Sequence, residues 1–263
     1  MHNRRVGLFW SLLFLAVPVL GVAVFAVAPS IDVWLPKDVS AHGKDIDSLF
    51  YFILALTGIV FLGTELLLFW LIWKNDVAAR GEEKATYIHG NHTLEVIWTI
   101  IPAVLMLFLA IYQMNAWADV KMRRPVMKPT VEVVARQFEW RLRYPGHDGE
   151  LGTPDDLFLV NDLHVPVDED VLVQLKSMDV LHSFFLPNLR IKQDAVPGMK
   201  IPVWFKATET GQYDLVCAEL CGWGHYKMKG RITIESREDF DAWLEQKYQE
   251  QEATQPELQD PMF

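Results

Sequence analysis

Hydrophobic positions fall into two registers along this chain. Up to Trp117 they form three apolar runs, Val6–Ala28, Leu49–Trp73 and Val96–Trp117; beyond it they alternate with polar ones in short stretches. Each run is long enough to cross a hydrocarbon core of ~30 Å, which takes roughly 20 helical residues. None keeps the polar face of a soluble amphipathic helix. The second and third runs therefore predict a transmembrane hairpin, residues 49–73 and 95–117. The first run fits two readings. Asn3-Arg4-Arg5 before it and Ala26-Val27-Ala28 at its end match a secretory signal over residues 1–28, while its length suits a first span.

After Met127-Lys128-Pro129 the alternation predicts strands. Val131-Glu132-Val133, Phe138-Glu139-Trp140, Val171–Leu175, Val203–Phe205 and Arg231–Ile234 have the period of half-buried strands. Turn signals separate them, among them Pro145-Gly146-His147-Asp148-Gly149 and Val196-Pro197-Gly198. Several short strands at this spacing predict an antiparallel sandwich or barrel. Ser236-Arg237-Glu238-Asp239 reads as a capping box opening a helix through Tyr248, with Phe240, Trp243 and Leu244 on its apolar face. Residues 118–248 thus form one exterior domain. The Gln-, Glu- and Pro-rich residues 249–263 predict a disordered tail.

Charge adds orientation and excludes one class of partner. Lys74, Arg80 and Lys84 lie between the second and third runs, and Arg4 and Arg5 precede the first. The segment between the first two runs sets Lys37 and Lys44 among Asp32, Asp38, Asp45 and Asp47. Basic loops stay in the cytoplasm, so everything after Trp117 is expected outside. From Asp119 onward 17 Lys and Arg face 25 Asp and Glu, a net of −8. With no basic patch carrying interleaved aromatics, nucleic acid is not an expected partner. Glu65 stands out inside the second run, where an ionisable side chain is costly and normally faces protein.

Both cysteines lie in VCAELCGWGHYKM, Val216–Met228, together with His225 and Met228. In an oxidising exterior Cys217 and Cys221 fit a disulfide, but its loop is very short and it leaves His225 and Met228 without a role. Zinc would take two thiolates and imidazole, but a thioether suits it poorly. Thiolate, imidazole and thioether together select copper. His182, in Asp179-Val180-Leu181-His182-Ser183, is a second imidazole that a sandwich would bring beside this loop. A single blue-copper ion uses one thiolate; the second cysteine is one too many for one copper and enough to bridge two. Residues alone leave copper, zinc and disulfide open.

The segments C-A-E-L-C-G-W-G-H-Y-K-M, D-V-L-H-S, V-I-W-T-I-I-P-A (Val96–Ala103) and K-Q-D-A-V-P-G (Lys192–Gly198) resemble subunit II of the haem–copper cytochrome c oxidases. The likeness covers about Leu49 to Tyr248. It implies a membrane-anchored all-β protein, with a transmembrane helical hairpin followed by a cupredoxin-like β-sandwich. It implies a dinuclear copper centre, CuA, bridged by Cys217 and Cys221. His182 and His225 would be terminal ligands, with Met228 and the Glu219 carbonyl as weak ones. The Glu219 carboxylate would reach a magnesium site shared with subunit I. Glu95, just before the third span, matches a glutamate at the entrance of a proton pathway. The implied role is electron transfer from an exterior donor, cytochrome c or another haem protein, to haem in subunit I. Oxygen would be reduced there with proton translocation. Subunit III is a further implied partner, and the location is a bacterial inner membrane with the C-terminal domain periplasmic.

The chain departs from that pattern at one place. Many relatives carry Q-W-Y-W, whose first Trp receives electrons; here the segment is Gln137-Phe138-Glu139-Trp140, making Phe138 and Trp140 the candidates for electron entry. Arg141 and Arg143 follow, and like charge there would disfavour a basic cytochrome c; Asp179 keeps one acid near His182. No C-x-x-C-H haem site occurs. A quinol oxidase subunit would lack the copper ligands, and a copper-delivery protein would need exposed ligands rather than a loop set amid Leu220, Trp223 and Tyr226. A nitrous oxide reductase copper domain shares the loop but not the hairpin anchor.

Overall fold

A computed structural model describes residues 2–31, 33–75, 87 and 89–254. The chain divides into two compact units, Met1–Pro36 with Asp47–Met114, and Lys37–Ile46 with Asn115–Phe263.

The first unit is helical. Helix α1 (His2–Val27) and a 3-10 turn (Ala28–Ile31) are followed by α2 (Gly43–Lys74) and α3 (His92–Tyr112). Three stretches, Leu8–Ile31, Gly43–Lys74 and His92–Lys121, are long and apolar enough to cross a membrane. Their outward Leu, Val, Phe and Trp side chains are exposed, as a lipid solvent requires. Asn91 caps α3, its side-chain carbonyl accepting from Leu94 N–H at 3.2 Å, which places Glu95 in the first turn. The third run is not one helix. The Gln113 N–H closes α3 on the Leu109 carbonyl, and a short helix α4 (Met114–Lys121) follows. The basic loop residues Arg80 and Lys84, and Asp32, lie outside the described residues.

The exterior unit is a sandwich of two five-stranded sheets. Its strands are β1 (Val131–Arg136), β2 (Glu139–Tyr144), β3 (Leu157–Val160), β4 (Asp162–Pro166), β5 (Asp170–Ser177), β6 (His182–Leu186), β7 (Ile191–Ala195), β8 (Ile201–Lys206), β9 (Gly211–Cys217) and β10 (Lys229–Glu235). The sheet orders are β3-β2-β1-β5-β8 and β4-β10-β9-β6-β7. Four of the predicted strands lie inside β1, β5, β8 and β10; the fifth loses Phe138 to the hairpin turn and keeps Glu139-Trp140 in β2. The sandwich is mixed rather than antiparallel. The chain leaves β1, crosses to the other sheet for β4 and returns as β5 parallel to β1, and β10 likewise runs parallel to β4. Trp140, Leu142, Tyr144, Phe184, Phe205 and Leu215 fill the space between the sheets with at most 1% exposure. Each such burial stabilises the fold by about 1.5–3 kcal/mol.

Residues 37–42, which join α1 to α2 in sequence, belong to this unit. Ser40 bridges Ala207, and Val39 is fully buried while exchanging backbone bonds with Asn188 (3.0 Å) and Thr208 (2.9 Å). This strap is part of the same compact unit as the sandwich.

Helix α5 (Arg237–Thr254) closes the far side. Ser236 caps it, accepting from Asp239 N–H at 3.1 Å. Residues 249–254, expected in a disordered tail, are helical, because the Gln251 amide bonds the Phe158 N–H (3.0 Å) and the Asp156 carbonyl (2.8 Å) at the edge of β3. Residues 255–263 of that tail lie outside the described residues. Trp243 stacks on His164 with ring centroids 3.9 Å apart. The two His164 nitrogens face Glu235 (2.8 Å) and Asp162 (3.3 Å).

Burial lowers the His164 pKa, but the bonds to Asp162 and Glu235 overcome this and leave it raised. The ordinary histidine value is ~6.5, so the contribution is complete below that pH and is lost as pH climbs through the higher folded value. In urea unfolding of the detergent-solubilised chain, His164→Gln should abolish this decline of exterior-domain stability with rising pH. Trp243→Ala should cost about 2–3 kcal/mol, less than for a fully buried Trp.

Candidate metal centre

Three neighbouring strands bring the predicted ligands to one end of the second sheet. β6 pairs with β9 so that Phe184 lies opposite Cys217, which sets His182 at the start of β6 beside Cys217 at the end of β9. Met228 precedes β10, and its carbonyl accepts from Cys217 N–H at 3.2 Å. The intervening loop turns back through Gly222, whose φ of 137° suits glycine, and through a 3-10 turn, His225–Lys227.

Six donors converge there. The Cys217 and Cys221 sulfurs are 3.9 Å apart and unlinked. His182 Nδ1 lies 3.9 Å from Cys217 Sγ, and His225 Nδ1 lies 3.7 Å from Cys221 Sγ. The Glu219 carbonyl is 3.2 Å from Cys217 Sγ, and Met228 Sδ is 3.8 Å from Cys221 Sγ. His182, Cys217 and Cys221 offer donor atoms all within 4.8 Å of one another. Each sulfur thus has one imidazole and one weak donor beside it. Thiolate, imidazole and thioether are a donor set for copper.

Electrostatics at the two sulfurs favour a bound cation. Burial opposes ionisation of Cys217, but His182 and the Ser183 and Glu219 backbone overcome it and bring the thiol below its ordinary value. Burial and the neighbouring Cys217 push Cys221 above its own. Two adjacent buried thiolates repel, and a bound cation is what allows both to stay ionised. His182 is also raised: burial lowers it, and Cys217 and Asp179 more than compensate. Its Nε2 meets Asp179 Oδ1 at 2.8 Å, leaving Nδ1 for a metal.

Four of the six donor residues, His182, Cys217, Cys221 and Met228, are shielded by the sandwich and not by the loop's apolar residues, while Glu219 and His225 are partly exposed. His182 and Met228 are at most 1% exposed and Cys221 is 4% exposed, whereas Leu220, Trp223 and Tyr226 are 67–81% exposed. Phe138 is half-buried and packs edge-on against Trp223 at 5.3 Å. Trp140 is fully buried between His182 and Phe184. It is a wall of the core and has no surface to offer an electron donor, because its alternation in β2 points it between the sheets. Arg141 and Arg143 are no free cationic patch either. Arg141 pairs with Glu139 at 2.9 Å, and Arg143 pairs with buried Glu132 and lies 3.5 Å from buried Asp156. Glu95 lies in the first turn of α3, half-exposed and 4.0 Å from His92. Gln137, whose side-chain amide donates to the Cys221 carbonyl, carried no signal in the sequence, since 84 positions separate the two.

A β-sandwich tied to apolar helices, with buried thiols and imidazoles at one end, defines a membrane-anchored metal-site domain. Comparison with known proteins narrows the class. The family model for the periplasmic domain of cytochrome c oxidase subunit II matches residues 130–236, and that for its transmembrane domain matches residues 28–116. A probable cytochrome c oxidase subunit 2 of Rickettsia bellii is 32% identical over 204 residues, covering 73% of this chain and 74% of the relative. An alternative cytochrome c oxidase subunit 2 of Bradyrhizobium diazoefficiens is 40% identical over 144 residues, 46% of this chain and 52% of the relative, so the match spans about half of that protein. A solved periplasmic domain of subunit II from Bradyrhizobium japonicum is 29% identical, with 48% of this chain and 97% of that one covered and a TM-score of 0.43. The chain belongs to the cytochrome c oxidase subunit II family. It is a membrane protein with an exterior C-terminal domain.

In the metal-free chain, ultraviolet thiolate absorbance should rise in two separate steps with pH, one below and one above the ordinary thiol value. Cys217→Ser should lower the remaining step, since it removes the neighbouring charge. Two thiols titrating together near the ordinary value would contradict the electrostatic account.

Proposed function

We propose that this chain is the electron-transfer subunit of a haem–copper terminal oxidase in a bacterial inner membrane. The observation that carries the reading is the convergence of two thiols, two imidazoles and two weak donors, with each sulfur near one imidazole and one weak donor. A bound copper pair would supply a one-electron relay from an exterior haem-protein donor to haem in subunit I, where oxygen is reduced with proton translocation. Cys217 and Cys221 would bridge, His182 and His225 would be terminal ligands, and Met228 and the Glu219 carbonyl the weak ones. The ends of β6 and β9 and the start of β10 hold His182, Cys217 and Met228 in one geometry, which keeps reorganisation small when an electron arrives.

Other residues take roles around that site. The Glu219 carboxylate is half-exposed and makes no hydrogen bond or ion pair with the described residues, which leaves it available to a magnesium ion shared with subunit I. Phe138 and Trp223 form the aromatic contact nearest the loop, and we assign electron entry to this pair rather than to Trp140. Since Arg141 and Arg143 are internally paired, they do not bar a basic cytochrome c as the donor. Glu95, at the cytoplasmic end of α3, is assigned to the proton pathway with subunit I. Glu65, whose Oε2 is shielded without a hydrogen-bond partner, is assigned to the face of α2 that meets subunit I, with subunit III a further partner.

Copper loading of the full chain in detergent tests the centre. A fragment starting at Asp119 would omit the strap that buries Val39. Electron paramagnetic resonance should show hyperfine structure from two equivalent copper nuclei, with two coppers per chain; a single-copper spectrum would defeat the reading. Cys217→Ser and Cys221→Ser should each abolish that spectrum. In the assembled oxidase, Glu95→Gln should slow turnover by about tenfold or more, within the range of a proton-transfer residue, and leave the copper spectrum unchanged.

A further inference from the structure

The tip of the β1–β2 hairpin reaches across to the metal site and touches it at three points, two on the ligand loop and one at Asp179. Gln137 projects its side-chain amide to the carbonyl of Cys221, one of the two cysteines. Its backbone N–H donates to Asp179 Oδ2 at 2.8 Å. The other oxygen of that carboxylate faces His182 Nε2 at 2.8 Å and also accepts from Val180 N–H at 2.6 Å. The next residue, Phe138, lies against the loop glycines: a Cβ on Gly224 would collide with the Phe138 ring, and one on Gly222 would meet Gln137 Nε2 at 2.7 Å. One dipeptide therefore touches the backbone of a cysteine, the orienting carboxylate of a histidine, and the loop between Cys221 and His225.

Backbone geometry makes this contact consequential. The loop from Ala218 to Lys227 contains no strand, and two of its residues are glycines. Left alone, such a loop samples many conformations, and Cys221 would move with it. Cys217 is anchored by the β9 ladder and Met228 by the start of β10. Cys221 sits between those anchors, and the bond from Gln137 restrains its peptide plane from outside the loop. Partners of ligands at this distance commonly change metal affinity by about 10–100-fold when removed.

We infer that Gln137 is a positioning residue for the metal centre, fixing the Cys221 peptide through its side chain and His182 through Asp179, with Phe138 clamping Gly224. This rests on the copper reading above and adds to it a restraint from outside the ligand loop. The hairpin tip thereby couples any molecule that docks on Phe138 to the geometry of the ligands.

The test uses the full chain in detergent, loaded with copper. Wild-type chain must first show the two-copper hyperfine pattern; its absence would sink the copper reading rather than this inference. Given that pattern, Gln137→Ala and Gln137→Asn, the latter one methylene too short, should both lose copper to a chelator at least about tenfold faster and show altered hyperfine splitting. Gly224→Ala, which changes no donor and no positive φ, should displace Phe138 and alter the spectrum in the same direction. Asp179→Asn should perturb it through His182 while keeping an acceptor for the Gln137 N–H. Thermal unfolding of the metal-free chain should be the same for wild type and the two Gln137 variants. Wild-type spectra and chelation rates in the Gln137 variants would overturn the proposal. So would faster copper loss matched by an equal loss of metal-free stability, which would mark a merely structural contact.

Discussion

The register between β6 and β9 is the constraint on which the rest of the site depends. With Phe184 opposite Cys217, the chain entering β6 must carry His182 to the end of the sheet where β9 releases Cys217. β10 then returns beside β9 with Lys229 opposite Val216, which brings Met228 to the same end. A slip of one residue would turn Phe184 outward and His182 away from the thiols, because side chains alternate faces along a strand. The buried ring of Phe184, packed edge-on against Trp140 at 5.6 Å, makes that slip expensive. Core packing and ligand placement are thus one and the same restraint.

Burial then dictates the chemistry. The two sulfurs sit in a low-dielectric end of the sandwich, where an ionised thiol gains from His182 and suffers from a second thiolate. Such a pair is well suited to hold a soft cation. Elsewhere the domain treats buried charge in the ordinary way. Glu132 is met by Arg143, Lys176 and the Gln174 amide, and His164 is held between two carboxylates. These networks belong to the fold, whereas the sulfur pair is left to be completed by metal.

The exterior domain is assembled from segments far apart in sequence. The strap at Val39 comes from before α2, the sandwich from after α4, and α5 docks through Trp243 and Gln251 onto β3 and β4. The strap and the sandwich thus form one unit.

Much of this was legible in the residues themselves. Apolar runs without a polar face announce helices in lipid, and the mixture of cysteine, histidine and methionine in Val216–Met228 announces a soft metal. β1, β5, β8 and β10 were legible because polar and apolar residues alternate within each; β6 was not, because His-Ser-Phe-Phe-Leu carries no such alternation. The parallel pairings, the strap at Val39 and the helical course of residues 249–254 were decided by tertiary structure, since each depends on a partner distant in the chain. The same holds for electron entry. Local sequence makes Phe138 and Trp140 equivalent aromatics two positions apart, which a strand places on one face. The hairpin turn breaks that equivalence, leaving Trp140 inside the core and Phe138 on the metal loop beside Trp223. Residue chemistry by itself narrowed the loop to copper, zinc or a disulfide; only the packing of β6, β9 and the β1–β2 turn decided which side chains gather around the two sulfurs, because those contacts exist only when distant strands meet.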